Sequence, residues 1–126
     1  GSVSSLVPMP YFALYSASKK ALEQFFSALR TELTGKAKVC CVRPGAIPTR
    51  DDVKEYIRAQ GLWGRLAALP PETVAKRALA AVRKNKRAPV IGLWNKLMHA
   101  ATALLPLSLK MRFIAARWSK TQKDAF

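Results

Sequence analysis

Acidic residues are scarce in this chain. Seven Asp and Glu stand against 22 Lys and Arg in 126 residues, a formal net charge of +15. Cysteine is nearly missing as well. Cys40 and Cys41 are adjacent, which excludes a disulfide framework and matches no familiar metal-ligand spacing, so no metal site is expected and a reducing compartment is. Long apolar runs are lacking. The longest largely apolar stretch, Leu97 to Leu109, is 13 residues and contains His99, too short for a membrane span. No charged-then-apolar leader is visible, which predicts a cytoplasmic protein. The six glycines, at 1, 35, 45, 61, 64 and 92, nowhere form a G-x-G-x-x-G turn.

What is present is a globular composition, half apolar and 23% charged. The basic excess is uneven. Residues 1–69 carry 10 basic and 5 acidic groups, and residues 70–126 carry 12 and 2. The densest cluster, Arg83-Lys84-Asn85-Lys86-Arg87, falls where a helix should end, and the helix dipole favours cations there. A solvated helix end and a patch facing phosphate or lipid both fit it. No zinc-finger, RNP-type or leucine-zipper pattern accompanies the charge, so nucleic acid is not an expected partner.

Hydrophobic spacing organises the rest. Gly1 to Tyr11 reads as a loop. Leu14, Ala17, Ala21, Leu22, Phe25, Phe26, Leu29 and Leu33 recur at three- and four-residue steps and predict a helix over 13–33, stopped by Thr34-Gly35. Lys38 to Val42 reads as a buried strand ended by Pro44-Gly45. Arg50 to Ala59 reads as a short helix, with Gly61 and Gly64 loosening the stretch after it. Pro70-Pro71-Glu72 opens another helix. Pro89 to Leu93 reads as a second strand, and two helices come after it over 94–105 and 107–118, broken at Pro106. A polar tail begins at Ser119. Helices alternating with strands predict an α/β fold with parallel strands. Two strands make a poor sheet, so the chain reads as the end of a fold.

The chemistry concentrates in Tyr15-Ser16-Ala17-Ser18-Lys19. Tyr15 and Lys19 are i and i+4, neighbours on one helical face. An ammonium near a phenol favours phenolate, so such a tyrosine can give or take a proton near neutral pH, as interconversion of a carbonyl and an alcohol requires. The pair is weak evidence alone, but it has company. The stretch Gly1-Ser2-Val3-Ser4-Ser5 precedes it, and Val42-Arg43-Pro44-Gly45-Ala46-Ile47-Pro48-Thr49 comes after. In this order the sequence resembles the short-chain dehydrogenase/reductase (SDR) family: its serine loop, its Tyr-x-Ala-Ser-Lys helix start and its Pro-Gly-x-x-x-Thr loop.

The resemblance implies the C-terminal half of a Rossmann-like, doubly wound parallel sheet, incomplete here, with C-terminal helices added. Residues 1–93 would be part of the catalytic domain and 94–126 a basic amphipathic helical tail. It also implies roles. Tyr15 matches the catalytic acid/base and Lys19 the lysine that holds the nicotinamide ribose. Ser2, thirteen residues before Tyr15, matches the serine that hydrogen-bonds the substrate carbonyl. Pro44, Gly45 and Thr49 match the loop beside the nicotinamide. Leu62 and Trp63 fall where the family has its substrate lid; local core is the other reading. The implied cofactor is NADP or NAD, with NADP preferred. The family's Gly-rich phosphate turn is not in the chain, which predicts no nicotinamide binding by these 126 residues alone.

The expected activity is therefore NAD(P)-dependent hydride transfer between a carbonyl and an alcohol, on a small and lipophilic substrate, within a homo-oligomeric parent. The alternative is an inactive SDR piece that acts only as a structural or membrane-surface binder. Residues 93–118 bear on it: they mix leucines and aromatics with Lys96, Lys110, Arg112 and Arg117 and hold no acid. Such a pattern fits a helix lying in a membrane interface, or a cap over the substrate site.

Overall fold

A computed structural model describes residues 1–119. A short 3-10 turn, Val3–Ser5, precedes six helices: α1 Ala13–Glu32, α2 Asp51–Ala59, α3 Gly61–Ala67, α4 Pro71–Arg83, α5 Leu93–Ala103 and α6 Leu107–Trp118. The polar tail expected from Ser119 onward lies, beyond Ser119 itself, outside the described residues.

Local chemistry explains most of these boundaries. Helix α1 ends as Gly35 turns to a φ of +81°, a conformation open to glycine at no steric cost. Pro71 starts α4, where its missing N–H costs nothing. Asp51 and Asp52 in the first turn of α2 complement the helix dipole. The end of α4 is met by cations: Arg30 donates to the Asn85 carbonyl at 2.7 Å and Lys38 to the Arg83 carbonyl at 3.4 Å. The cluster 83–87 lies at and just past the end of α4, with Lys84 to Arg87 exposed. Gly61 and Gly64, expected to loosen the chain, lie within α3. Gly64 is there because a side chain would strike the Ile57 carbonyl, 2.2 Å from where its Cβ would sit.

The sheet is the clear correction. Among the described residues there is no strand and no Rossmann-like sheet, only one parallel bridge, Arg43 to Val90. The two segments read as strands do run side by side. Cys41 N–H donates to the Arg87 carbonyl, Arg43 N–H to Pro89 and Ile91 N–H to Arg43, each at 2.9 Å. The ladder stops there. Pro89 carries no N–H to donate back to Cys41, and one hydrogen bond, Val3 N–H to the Pro44 carbonyl at 3.0 Å, is what the serine loop adds on the other side. A parallel sheet needs flanking strands and cover on both faces, and two segments supply neither.

The core is correspondingly small: among the described residues, Cys41, Ile57, Val74, Ala81, Val90 and Ile91 are the buried apolar side chains. The surface measures 8518 Å², against about 6,700 Å² expected for a compact chain of this mass. Much of the apolar stripe on α1 lies open, with Leu14 65% and Phe25 60% exposed. Two aromatic clusters tie the helices together. Phe12, Tyr56 and Trp118 join the start of α1 to α2 and the end of α6, and Trp63 meets Trp94 edge-on at 5.2 Å, joining α3 to α5.

Candidate active site

Helix α1 presents Tyr15 and Lys19 on one face. The Lys19 ammonium lies 5.2 Å from the centre of the Tyr15 ring, within cation–π range, and Tyr15 is 43% exposed. Ser18, between them in sequence, turns its hydroxyl back to the Tyr15 carbonyl at 2.8 Å. A phenol and a cation thus stand together in one patch that solvent reaches. Among the described residues no ion pair occupies Lys19.

Ser2 is placed differently. It is buried and caps the 3-10 turn, its hydroxyl oxygen accepting from the Ser4 N–H at 3.2 Å. Ser2 Oγ also lies 3.2 Å from Ser4 Oγ as a donor. The adjacent Val3 N–H to Pro44 carbonyl bond brings the serine loop against the Pro-Gly loop. Gly45 is hemmed in: a Cβ there would come within 2.5 Å of the Ala67 carbonyl and 2.6 Å of Asn95 Nδ2. Thr49 is exposed, and its N–H bonds the Ile47 carbonyl at 2.8 Å. Leu62 is 68% exposed on α3, whereas Trp63 packs on Trp94 and holds the Arg117 guanidinium 5.2 Å from its ring. A cavity of about 400 Å³ lies against the other side of α1, bounded by Ser4 to Pro10, Ser16, Lys20 and Met111; neither Tyr15 nor Lys19 lines it.

One part of the framework was not expected from the sequence. Glu23 is buried on α1, and three segments converge on it. Ser5 donates to Oε2 at 2.7 Å, Arg43 Nε donates to Oε2 at 3.1 Å, and Arg43 also pairs with Oε1. Lys20 stands 3.5 Å away. Burial pushes the Glu23 carboxyl up. The hydrogen bonds from Arg43 and Ser5, with the charges of Arg43 and Lys20, outweigh that and hold it below the usual carboxylate range. This carboxylate ties the serine loop, the Tyr15 helix and the residue before Pro44 into one unit. The signals were present: Glu23 lies seven residues after the buried Ser16, hence on the same helical face, and Arg43 interrupts an apolar run. Asn95 is a second such group. Its Nδ2 donates to the Ile91 carbonyl at 2.9 Å and the Ala67 carbonyl at 3.1 Å, closing the pocket around Gly45.

The cysteines are unpaired; burial, with Cys41 adjacent, pushes the Cys40 thiol up and away from reactivity. Among the described residues no three His, Cys, Asp or Glu side chains gather as a metal would require, and no helix is long and apolar enough to cross a membrane.

Comparison with known proteins decides the family. The short chain dehydrogenase family model matches residues 1–59, the segment that holds the serine loop, α1 and the Pro-Gly loop. SadH of Mycobacterium tuberculosis, which carries the name of an oxidoreductase, is 31% identical over 94% of this chain and 47% of its own length. The chain belongs to the short-chain dehydrogenase family. Dehydrogenase/reductase SDR family member 7B of Xenopus tropicalis is 32% identical over 97% of this SDR chain and 41% of its own length. An 11-beta-hydroxysteroid dehydrogenase-like protein of Arabidopsis thaliana is 44% identical over 48 residues, 38% of this chain and 16% of its own length. The chain thus spans about half the length, or less, of the curated relatives it matches. No solved structure matches it with significance.

Proposed function

We propose that this SDR chain carries the proton-transfer end of an oxidoreductase that interconverts a carbonyl and an alcohol. The observation that carries the reading is the Tyr15–Lys19 patch on α1, inside the segment matched by the family. A nicotinamide cofactor, when bound, supplies or accepts the hydride. In reduction, the Tyr15 hydroxyl donates its proton to the carbonyl oxygen; in oxidation the same oxygen takes the proton back. Lys19 holds a positive charge 5.2 Å from the centre of the Tyr15 ring and offers three donors to a ribose. Ser2 orients the carbonyl by a hydrogen bond, which requires its hydroxyl to turn away from Ser4.

The residues present fit one end of such a cofactor. Tyr15, Lys19 and Thr49 offer polar groups to a ligand. Pro44 and Gly45 would give it a backbone wall, with Asn95 packed against Gly45. None of the glycines with positive φ, at 35, 61 and 92, belongs to a Gly-rich phosphate turn. NADP is the preferred form in this reading. The substrate is a small lipophilic carbonyl or alcohol, in keeping with the apolar side chains of α3 and α5, among which Leu62 would touch it. The parent works as a homo-oligomer in the cytoplasm, a setting in which two free thiols persist.

The test is Tyr15→Phe in the full-length natural protein, assayed by NADPH oxidation with a panel of apolar ketones and by cofactor titration. Turnover falls by at least about 100-fold while cofactor affinity stays within about threefold, because the lost hydroxyl serves the proton and not the cofactor. A variant that keeps its turnover removes Tyr15 from this role.

A further inference from the structure

Helices α5 and α6 turn apolar side chains outward. Along α5, Leu93, Leu97 and Leu104 recur at helical steps on one face and are 72%, 51% and 90% exposed. The opposite face packs inward, with Asn95 buried and Met98 half-buried. On α6, Leu109 and Phe113 are 50% and 55% exposed, and the exposed Arg112 lies between them, while Met111 and Ile114 are half-buried. Leu104, Leu105 and Leu107, all exposed, form the corner that joins the two stripes. Isolated surface leucines need no explanation, but two exposed stripes that the chain joins through a leucine corner do.

Charge indicates what covers them. No Asp or Glu occurs between Glu72 and Asp124. Lys96 and Arg112 flank the stripes, exposed, and among the described residues neither enters an ion pair. The exposed Lys84, Lys86 and Arg87 precede α5. A protein partner with a folded surface usually answers cations at defined points. A lipid surface offers instead a continuous layer of phosphate above an apolar layer, and an apolar helix face rimmed by cations matches it along its whole length. The exposed apolar face of α1 carries an exposed acid, Glu32, at its C-terminal end, so it does not share the match.

We propose that the α5–α6 corner docks on an anionic lipid surface, with Leu97, Leu104 and Phe113 entering the acyl boundary and Lys96 and Arg112 meeting lipid phosphates. The inference does not depend on the oxidoreductase reading. It is tested by co-sedimentation of the full-length natural protein with vesicles of phosphatidylcholine alone and of phosphatidylcholine with phosphatidylserine. The protein sediments with the anionic vesicles, and added salt releases it. Lys96→Gln with Arg112→Gln weakens the partition about 25-fold, taking about fivefold per cation. Leu104→Asp weakens it at least about tenfold, and its melting temperature is unchanged because that side chain touches little. Partition that ignores phosphatidylserine, or that survives both variants, overturns the proposal. So does an oligomer that Leu104→Asp dissociates, since the corner then belongs to a second protein surface.

Discussion

Arg43→Met removes the main partner of a buried carboxylate, and its cost separates a structural clamp from an incidental ion pair. The side chains of Glu23 and Arg43 are 9% and 17% exposed. An exposed pair contributes about 0–1 kcal/mol, whereas removing one member of a buried pair costs about 3–5 kcal/mol, because the survivor keeps an uncompensated charge. Here Ser5 and Lys20 remain beside Glu23, so the low end, about 3 kcal/mol, is expected. For a chain of this size that corresponds to a melting point lower by roughly 10 °C. Glu23→Leu combined with Arg43→Met leaves no stranded charge and costs less than Arg43→Met alone. The pH dependence gives an independent check. The folded Glu23 pKa lies below its unfolded value, so its contribution is full above the unfolded carboxylate range and fades as pH falls through the folded pKa. Equilibrium denaturation from about pH 7 down to about pH 3 on the natural protein, Arg43→Met and the double variant reads both effects. The double variant lacks this acid-side loss. If Arg43→Met costs under about 1 kcal/mol, or the acid-side slope of the double variant is as steep as that of the natural protein, the pair is a surface contact and the clamp is refuted.

The Pro-Gly loop and the cofactor can be probed in the same way. Gly45→Ala drives a methyl into the Ala67 carbonyl and Asn95 and destabilises by about 1–3 kcal/mol in thermal melts; a neutral result means the pocket opens. Asn95→Leu removes the hydrogen bonds to Ile91 and Ala67, leaves their carbonyls short of a donor, and lowers stability by about 2 kcal/mol; an unchanged denaturation midpoint denies it that part. Calorimetric titration of the 126-residue chain with NADPH shows no saturable binding, because the pyrophosphate has no glycine turn to approach; micromolar binding defeats that reasoning.

Helices were legible wherever the three-and-four spacing was long or the stops were chemical. The expected start of α1 at Ala13 and end of α6 at Trp118 agree with the structure, as do the Pro71 start and the break at Pro106. Spacing failed at α3, where two glycines were expected to loosen the chain. Gly64 is required there by contact with Ile57, a fact of packing that no local pattern carries. It failed again at the strands. Residues 38–42 and 89–93 have strand composition, yet a strand exists only through its neighbours, and these segments have just each other.

The candidate site divides the same way. The placement of Tyr15 and Lys19 on one face arises from an i, i+4 spacing on any helix, and the order of serine loop, helix and Pro-Gly loop sufficed to mark the family. Local sequence settles such matters because helical hydrogen bonds join residues four apart. That Ser2 is closed against Ser4, that Glu23 gathers Ser5 and Arg43, and that Asn95 seals Gly45 required the fold. Those contacts join residues that are distant in sequence or set by turn geometry, and whether each stabilises depends on burial, which the chain acquires only on packing.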